Sequence, residues 1–305
     1  MPHEPKNLAA SVRQKLFDLA RSRNEDFGLI LVKYGLERIL YRLSCSKHRD
    51  AFVLKGALLF ELWTQRPYRA TRDADFLARV DNSPDLFVGI FKELCVIEVE
   101  PDGLAFDANS VKAELITENA DYEGVRVTFT AYLERARIPV QIDIGFGDAI
   151  TPAPVETQYP TLLPAPNPSL LTYPKETVIA EKFEAMVKLG IANSRMKDFY
   201  DLEALSRTLD FDGKMLCQAI RKTFERRKSE LPADGTPVAF TPEFSDDTDK
   251  KKQWTAFCTR NATYVTKTEL KEVIENIKRF LAPVATALLD GSPFTKRWEL
   301  GGPWR

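Results

Sequence analysis

A chain of 305 residues, 44% hydrophobic and 29% charged, has the composition of a globular protein with room for one large domain or two. A formal net charge of −1 excludes strong whole-molecule attraction to nucleic acid, although local patches can still bind it. The amino terminus has no apolar signal core and no apolar run reaches membrane-spanning length, so a cytoplasmic protein without a membrane partner is expected. Cys45, Cys95, Cys217 and Cys258 form no CxxC pair and read as buried reduced thiols. The two histidines, His3 in the terminus and His48 in a polar turn, argue against a histidine triad or a zinc site. Metal chemistry would have to rest on carboxylates, which favours magnesium or manganese.

In chain order, apolar residues at helical spacing predict two helices between residues 7 and 45. A short buried strand, Phe52 to Leu54, is closed by Gly56. A helix through Leu58, Leu59, Leu62 and Trp63 follows, with Arg66-Pro67 ending it, and then a strand from Asp73 to Val80. Ser83-Pro84-Asp85 is a helix start, with a cap residue followed by proline in the first turn. Strands are expected over Val111–Thr117, Val125–Leu133 and Ile138–Ile144. Residues 152–174 hold seven prolines and read as a connecting segment. Beyond it, helices are predicted over about 175–190, 195–208, 212–229 and 267–289. Lys228 to Lys252, with its acid-then-lysine run, reads as a solvated loop.

The chemistry concentrates around Asp73 and Asp75, two residues apart and so on one face of a strand. Paired carboxylates can hold a hard divalent cation, although an isolated DxD is more often a solvent-facing strand end. Thr71, Arg72 and Arg69 surround the pair with groups suited to phosphate oxygens. In Val140-Gln-Ile-Asp143-Ile-Gly-Phe146, alternation turns Asp143 away from the apolar face, and a neighbouring strand would bring three acids together. Acids so crowded repel unless cations lie between them. Gly56 lets the backbone approach a ligand, or it simply makes a strand-to-helix turn.

Lys182 lies beside the apolar stripe of its helix, either snorkelling to water or neutralising a triphosphate. Asp198, at the start of the next helix, either favours the helix dipole or orients Lys182 or a substrate hydroxyl. Arg221, Lys222, Arg226 and Arg227 form a basic face that is either solvated or in contact with RNA phosphates.

Leu54-Lys-Gly56, Thr71-Arg-Asp73-Ala-Asp75, Gln141-Ile-Asp143-Ile, Ala180-Glu-Lys182-Phe-Glu-Ala185 and Arg195-Met-Lys-Asp198-Phe-Tyr-Asp201-Leu202 stand in the order of one family. The chain resembles the AbiEii/AbiGii (MenT-like) nucleotidyltransferase toxins of the DNA polymerase β-type superfamily over about residues 50–205. The resemblance implies an α+β fold with a polymerase β-type core of mixed sheet flanked by helices. The order of predicted elements divides the chain into a nucleotidyltransferase domain with its N-terminal helices over residues 1–165 and a helical domain over residues 166–305. The resemblance also implies that Asp73, Asp75 and Asp143 bind Mg2+ or Mn2+ and are catalytic with Lys182 and Asp198, and that Thr71 matches the family's hydroxyl before the first acid. Gly56, Arg72 and Lys182 have the chemistry to hold the nucleotide's triphosphate. By the same resemblance an NTP donates a nucleotide to an RNA 3′ end, tRNA above all, and an antitoxin is the partner. Transfer to a protein and a decayed nucleotide- or RNA-binding protein are the alternatives. One departure stands out. The family often has LKGGT or LKGGS, where this chain has Leu54-Lys-Gly56-Ala57-Leu58 and so lacks a phosphate-binding hydroxyl.

Overall fold

In the computed structural model, which describes residues 7–64, 69–118, 122–266 and 268–305, the chain divides into two units. The first comprises residues 1–65, 70–147 and 155–172, and the second residues 66–69, 148–154 and 173–305. His3, the Arg66-Pro67 stop and Lys267 lie outside the described residues.

The first unit begins with α1 (Leu8–Arg23) and α2 (Phe27–Ser44), each started by a side chain that accepts a first-turn N–H. Asn7 accepts from Ala10 at 3.0 Å and Asp26 from Leu29 at 2.8 Å. The chain then runs through β1 (Phe52–Lys55), α3 (Leu59–Thr64), β2 (Ala74–Ala78) and α4 (Pro84–Val96). It continues into β3 (Leu104–Glu118), β4 (Tyr122–Leu133), β5 (Ala136–Phe146), β6 (Val155–Gln158) and β7 (Ser169–Thr172). These strands form one mixed sheet in the order β3-β4-β5-β2-β1-β7-β6, with β2/β5 and β1/β7 parallel.

One face of the sheet is apolar and is covered by α2 and α4. Phe52 meets Phe76, Phe87 and Phe91 edge-on, with ring centroids 5.5–6.2 Å apart. The segment expected to be a connector contains β6 and β7. Its prolines flank these strands without entering them, and β6 is the edge strand, where missing donors are tolerated. Because β7 pairs with β1, the first unit extends past residue 165 to Thr172.

The second unit contains α5 (Lys175–Leu189), α6 (Met196–Thr208), β8 (Phe211–Asp212), α7 (Gly213–Arg227), α8 (Pro242–Ser245), α9 (Thr248–Arg260), α10 (Leu270–Leu289) and β9 (Arg297–Trp298). Phe280 of α10 anchors an aromatic cluster with Phe211, Trp298 and Trp304. The supposed loop at 228–252 is partly helical. Asp247 caps α9 by accepting from the Asp249 and Lys250 N–H groups, and Lys250 is buried over the Phe244 ring. A charge run that looked solvated is thus a helix start. Of the four thiols, three are buried and Cys45 is exposed at the end of α2.

Helix α2 buries charge along with its apolar residues. Arg42 pairs with Asp102 at 2.6 Å, Lys33 with Glu61 at 2.9 Å, and Glu37 accepts the Leu162 N–H at 2.6 Å. Burial raises the Glu37 carboxyl to about 7, against the opposing pull of the Leu162 N–H and Arg38. The folded protein therefore holds this proton more tightly than the unfolded chain does. The resulting stability is full below about pH 4.5 and is lost as pH rises towards 7. Urea unfolding at pH 5 and 7.5 should show the wild type losing up to about 3 kcal/mol that Glu37→Gln retains. Equal pH dependence in the two proteins would contradict this assignment.

Candidate active site

In the first unit, strand register places a row of charges on the sheet face opposite α2 and α4. Lys55 of β1 pairs with Asp75 of β2, Asp75 with Asp143 of β5, Asp143 with Arg126 of β4, and Arg126 with Glu114 of β3. Residues opposed in neighbouring strands share a face, so the five side chains stand side by side. Two carboxylates are adjacent at the centre of the row and a cation flanks each. Arg126 holds Asp143 in a fork, Nε to Oδ1 at 2.8 Å and Nη2 to Oδ2 at 2.7 Å. Gln141 Nε2 lies 3.3 Å from both oxygens of the same carboxylate. The bond to Asp143 holds the Arg126 guanidinium above its ordinary pKa, and Asp73 and Glu114 add to the effect.

Glycines make room for this row. Gly56 has a φ of +76°, and a Cβ on it would fall 1.9 Å from Asp75 Oδ2, so the Asp75 carboxylate fills the space where a side chain would be. Gly145 does the same for Lys55, whose Nζ lies 3.0 Å from where a Cβ would stand. Ala57 and Leu58, which replace the small and hydroxyl residues of the usual motif, are buried in the core.

Asp73 lies one residue before β2, and Thr71 Oγ1 donates to its Oδ1 at 2.7 Å. The Thr71 hydroxyl thus orients Asp73. Arg72 is exposed. Asp75 and Asp143 meet in register, but among the described residues no three His, Cys, Asp or Glu side chains gather closely enough to hold a metal ion. Asp75 and Asp143 thus stand as a pair in register, Asp73 lies two residues before Asp75 and acts electrostatically on Arg126, and Arg126 forks onto Asp143.

The second unit holds its own charge cluster. Lys182 Nζ of α5 lies 2.6 Å from Asp198 Oδ1 and 2.8 Å from Asp201 Oδ2. Arg69 forks onto Asp201 at 2.9 and 3.0 Å, and Arg195 Nε reaches Asp198 Oδ2 at 2.5 Å. The side chains of Asp198 and Asp201 are 1% and 0% exposed. Burial alone would raise both carboxyls. Lys182 and Arg195 outweigh it at Asp198, Arg69 and Lys182 outweigh it at Asp201, and both stay below the ordinary range. Burial would likewise lower Lys182, but the two carboxylates hold it above its usual value. Lys182 does not snorkel, and Arg69 forks onto Asp201.

The basic face of α7 divides. Arg221, Lys222 and Arg226 are exposed. Arg227 is not available to RNA, because its guanidinium meets Glu184 at 2.8 Å, Asp148 at 3.0 Å and Glu181 at 3.5 Å in a largely buried setting.

A family model described as "Nucleotidyl transferase AbiEii toxin, Type IV TA system" matches residues 38–277, well over half of the chain. The chain belongs to the AbiEii nucleotidyltransferase toxin family. No curated protein matches it. Two solved structures from Helicobacter pylori are similar: one described as a candidate nucleotidyltransferase (14% identity, 85% of this chain and 94% of that one, TM-score 0.46), and JHP933 (12%, 86% and 92%, TM-score 0.45). AbiEii members are nucleotidyltransferases of type IV toxin–antitoxin systems, and no helix among the described residues here is long and apolar enough to cross a membrane.

Lys182→Met would leave Asp198 and Asp201 buried together with one cation fewer. It should lower unfolding stability by about 3–5 kcal/mol in a denaturant titration. A change under about 1 kcal/mol would show that Lys182 is not what holds these charges.

Proposed function

We propose that this AbiEii protein transfers a nucleoside monophosphate from an NTP to the 3′ end of an RNA, with tRNA as the acceptor. The observation that supports this reading most is the register of Asp75 with Asp143 between Lys55 and Arg126. The donor set suits a divalent cation such as Mg2+ or Mn2+: hard carboxylate oxygens on adjacent strands, one of them already bearing a guanidinium as a stand-in positive charge. Asp75 and Asp143 would hold the ion, with Asp73 as the third acid. When bound, it would offset charge at the attacking and leaving oxygens.

The 3′-hydroxyl oxygen forms a bond to the α-phosphorus, the α–β bridging P–O bond breaks, and pyrophosphate leaves with that electron pair. The hydroxyl proton moves toward Asp143. Thr71 fixes the Asp73 carboxylate, and Gly56 leaves the space that the Asp75 carboxylate takes. Arg72 meets the triphosphate. Lys182 and Asp198 are assigned catalytic roles on the family resemblance, while their ion pairs give them a structural role of their own. Arg221, Lys222 and Arg226 are weaker candidates for RNA contact. The antitoxin of the same system is the protein partner, and the cytoplasm is the setting. A decayed binding protein fits less well, since the whole acid row is present.

Incubation with each labelled NTP, total tRNA and a lysate, followed by separation of RNA from protein, tests the reaction. Label should enter RNA, and Asp73→Ala should lower incorporation by at least about 100-fold. Label found only in protein would overturn the acceptor, and full activity in Asp73→Ala would overturn the role of the acid.

A further inference from the structure

Next to the acid row in the first unit lies a cavity of about 580 Å3, whose lining also includes Val32 of α2 and Phe129 and Val140 of the apolar face. It is lined by three exposed cations, Arg72, Lys112 and Arg137, and by the polar side chains of Ser110, Thr128 and Gln141. None of the three cations pairs with a carboxylate among the described residues, although Arg69, Arg126, Lys182 and Arg227 all do. In a chain of net charge −1, three unpaired cations around one cavity mark a seat for an anion.

The cavity is continuous with the acids. Lys112 pairs with Thr128 and Thr128 with Gln141, which forms the row next to Glu114–Arg126–Asp143, and Gln141 donates to Asp143 itself. A break in register of β3 between Asp107 and Lys112 shapes the far wall, and there Ser110 Oγ accepts the Thr130 N–H at 2.9 Å. Arg137 lies six residues from Asp143 along β5, about 20 Å at strand rise. That is farther than the phosphates of one nucleotide anchored at Asp75 and Asp143 extend, and it suits a strand with several phosphates.

We propose that this groove seats the acceptor: consecutive phosphodiesters of an RNA strand whose 3′ end reaches Asp143, with Lys112 and Arg137 as phosphate contacts and Thr128 and Gln141 facing ribose. The proposal rests on the RNA reading above, so its test uses binding and not turnover. Fluorescence anisotropy of a labelled single-stranded RNA dodecamer is measured against salt for the full chain and for Lys112→Ala/Arg137→Ala. Binding of an NTP with a non-hydrolysable α–β bridge is measured in parallel by calorimetry.

The double variant should bind the RNA at least tenfold more weakly, and its salt slope should be shallower by about 1.4, the value for two lost contacts to a single strand. NTP affinity should change less than twofold. Unchanged RNA affinity and slope would overturn the proposal. Parallel loss of NTP binding would make the groove a donor seat and would also overturn it. Wild type that ignores RNA but binds polyglutamate, with the variant losing that binding, would replace RNA with an acidic protein. Absence of nucleotide incorporation by wild type, with RNA binding lost in the variant as expected, would overturn the reaction and leave the groove standing.

Discussion

Two carboxylates side by side in one row of a sheet constrain the first unit more than any other feature. Asp75 and Asp143 are direct neighbours on adjacent strands, where like charges repel and destabilise the pairing. The row is stable because Lys55 and Arg126 bracket it, and because Gly56 and Gly145 leave space for a carboxylate and an ammonium that no other residue would leave. The opposite face packs aromatic rings under α2 and α4, so the strands are fixed by a largely apolar core, with the buried charges of α2 paired among themselves, while the charged face is free to specialise. Such a division suits nucleotidyl transfer, in which positioned charge does most of the chemical work.

The second unit meets the same electrostatic problem away from solvent. Asp198 and Asp201 are one helical turn apart and fully buried, and three cations enclose them. A buried carboxylate without a partner costs several kcal/mol, so Lys182, Arg69 and Arg195 are needed for the fold whatever else they do. The RxKDxxDL pattern is therefore legible as physics: the i and i+3 acids of α6 face one lysine from α5. Arg227, in its cage of Asp148, Glu181 and Glu184, follows the same rule.

Much of this was readable in advance. Helical spacing gave α1, α2, α5, α6, α7 and α10, and strand alternation turned Asp143 to the polar face. Arg126 was missed, although Glu134-Arg135 is a two-residue turn between β4 and β5. Counting outward from the Leu133–Ala136 pair brings residue 126 opposite 143. The place of Lys55 in the row is not legible in the sequence, because its neighbour β2 is fixed only by sheet order, which no local pattern reveals. Strands β6 and β7 were hidden by prolines that flank them, and α9 by a charge run that conceals its Asp247 cap. The partners of Lys182 and Arg227 depend on helix packing, and periodicity is silent on it.

Manganese binding to the intact protein, followed by electron paramagnetic resonance without nucleotide and with it, tests the acid row most directly. Wild type should bind the ion, and Asp75→Asn and Asp143→Asn should each weaken binding by more than about tenfold. Equal manganese affinity in wild type and both variants would contradict a metal centre at Asp75 and Asp143.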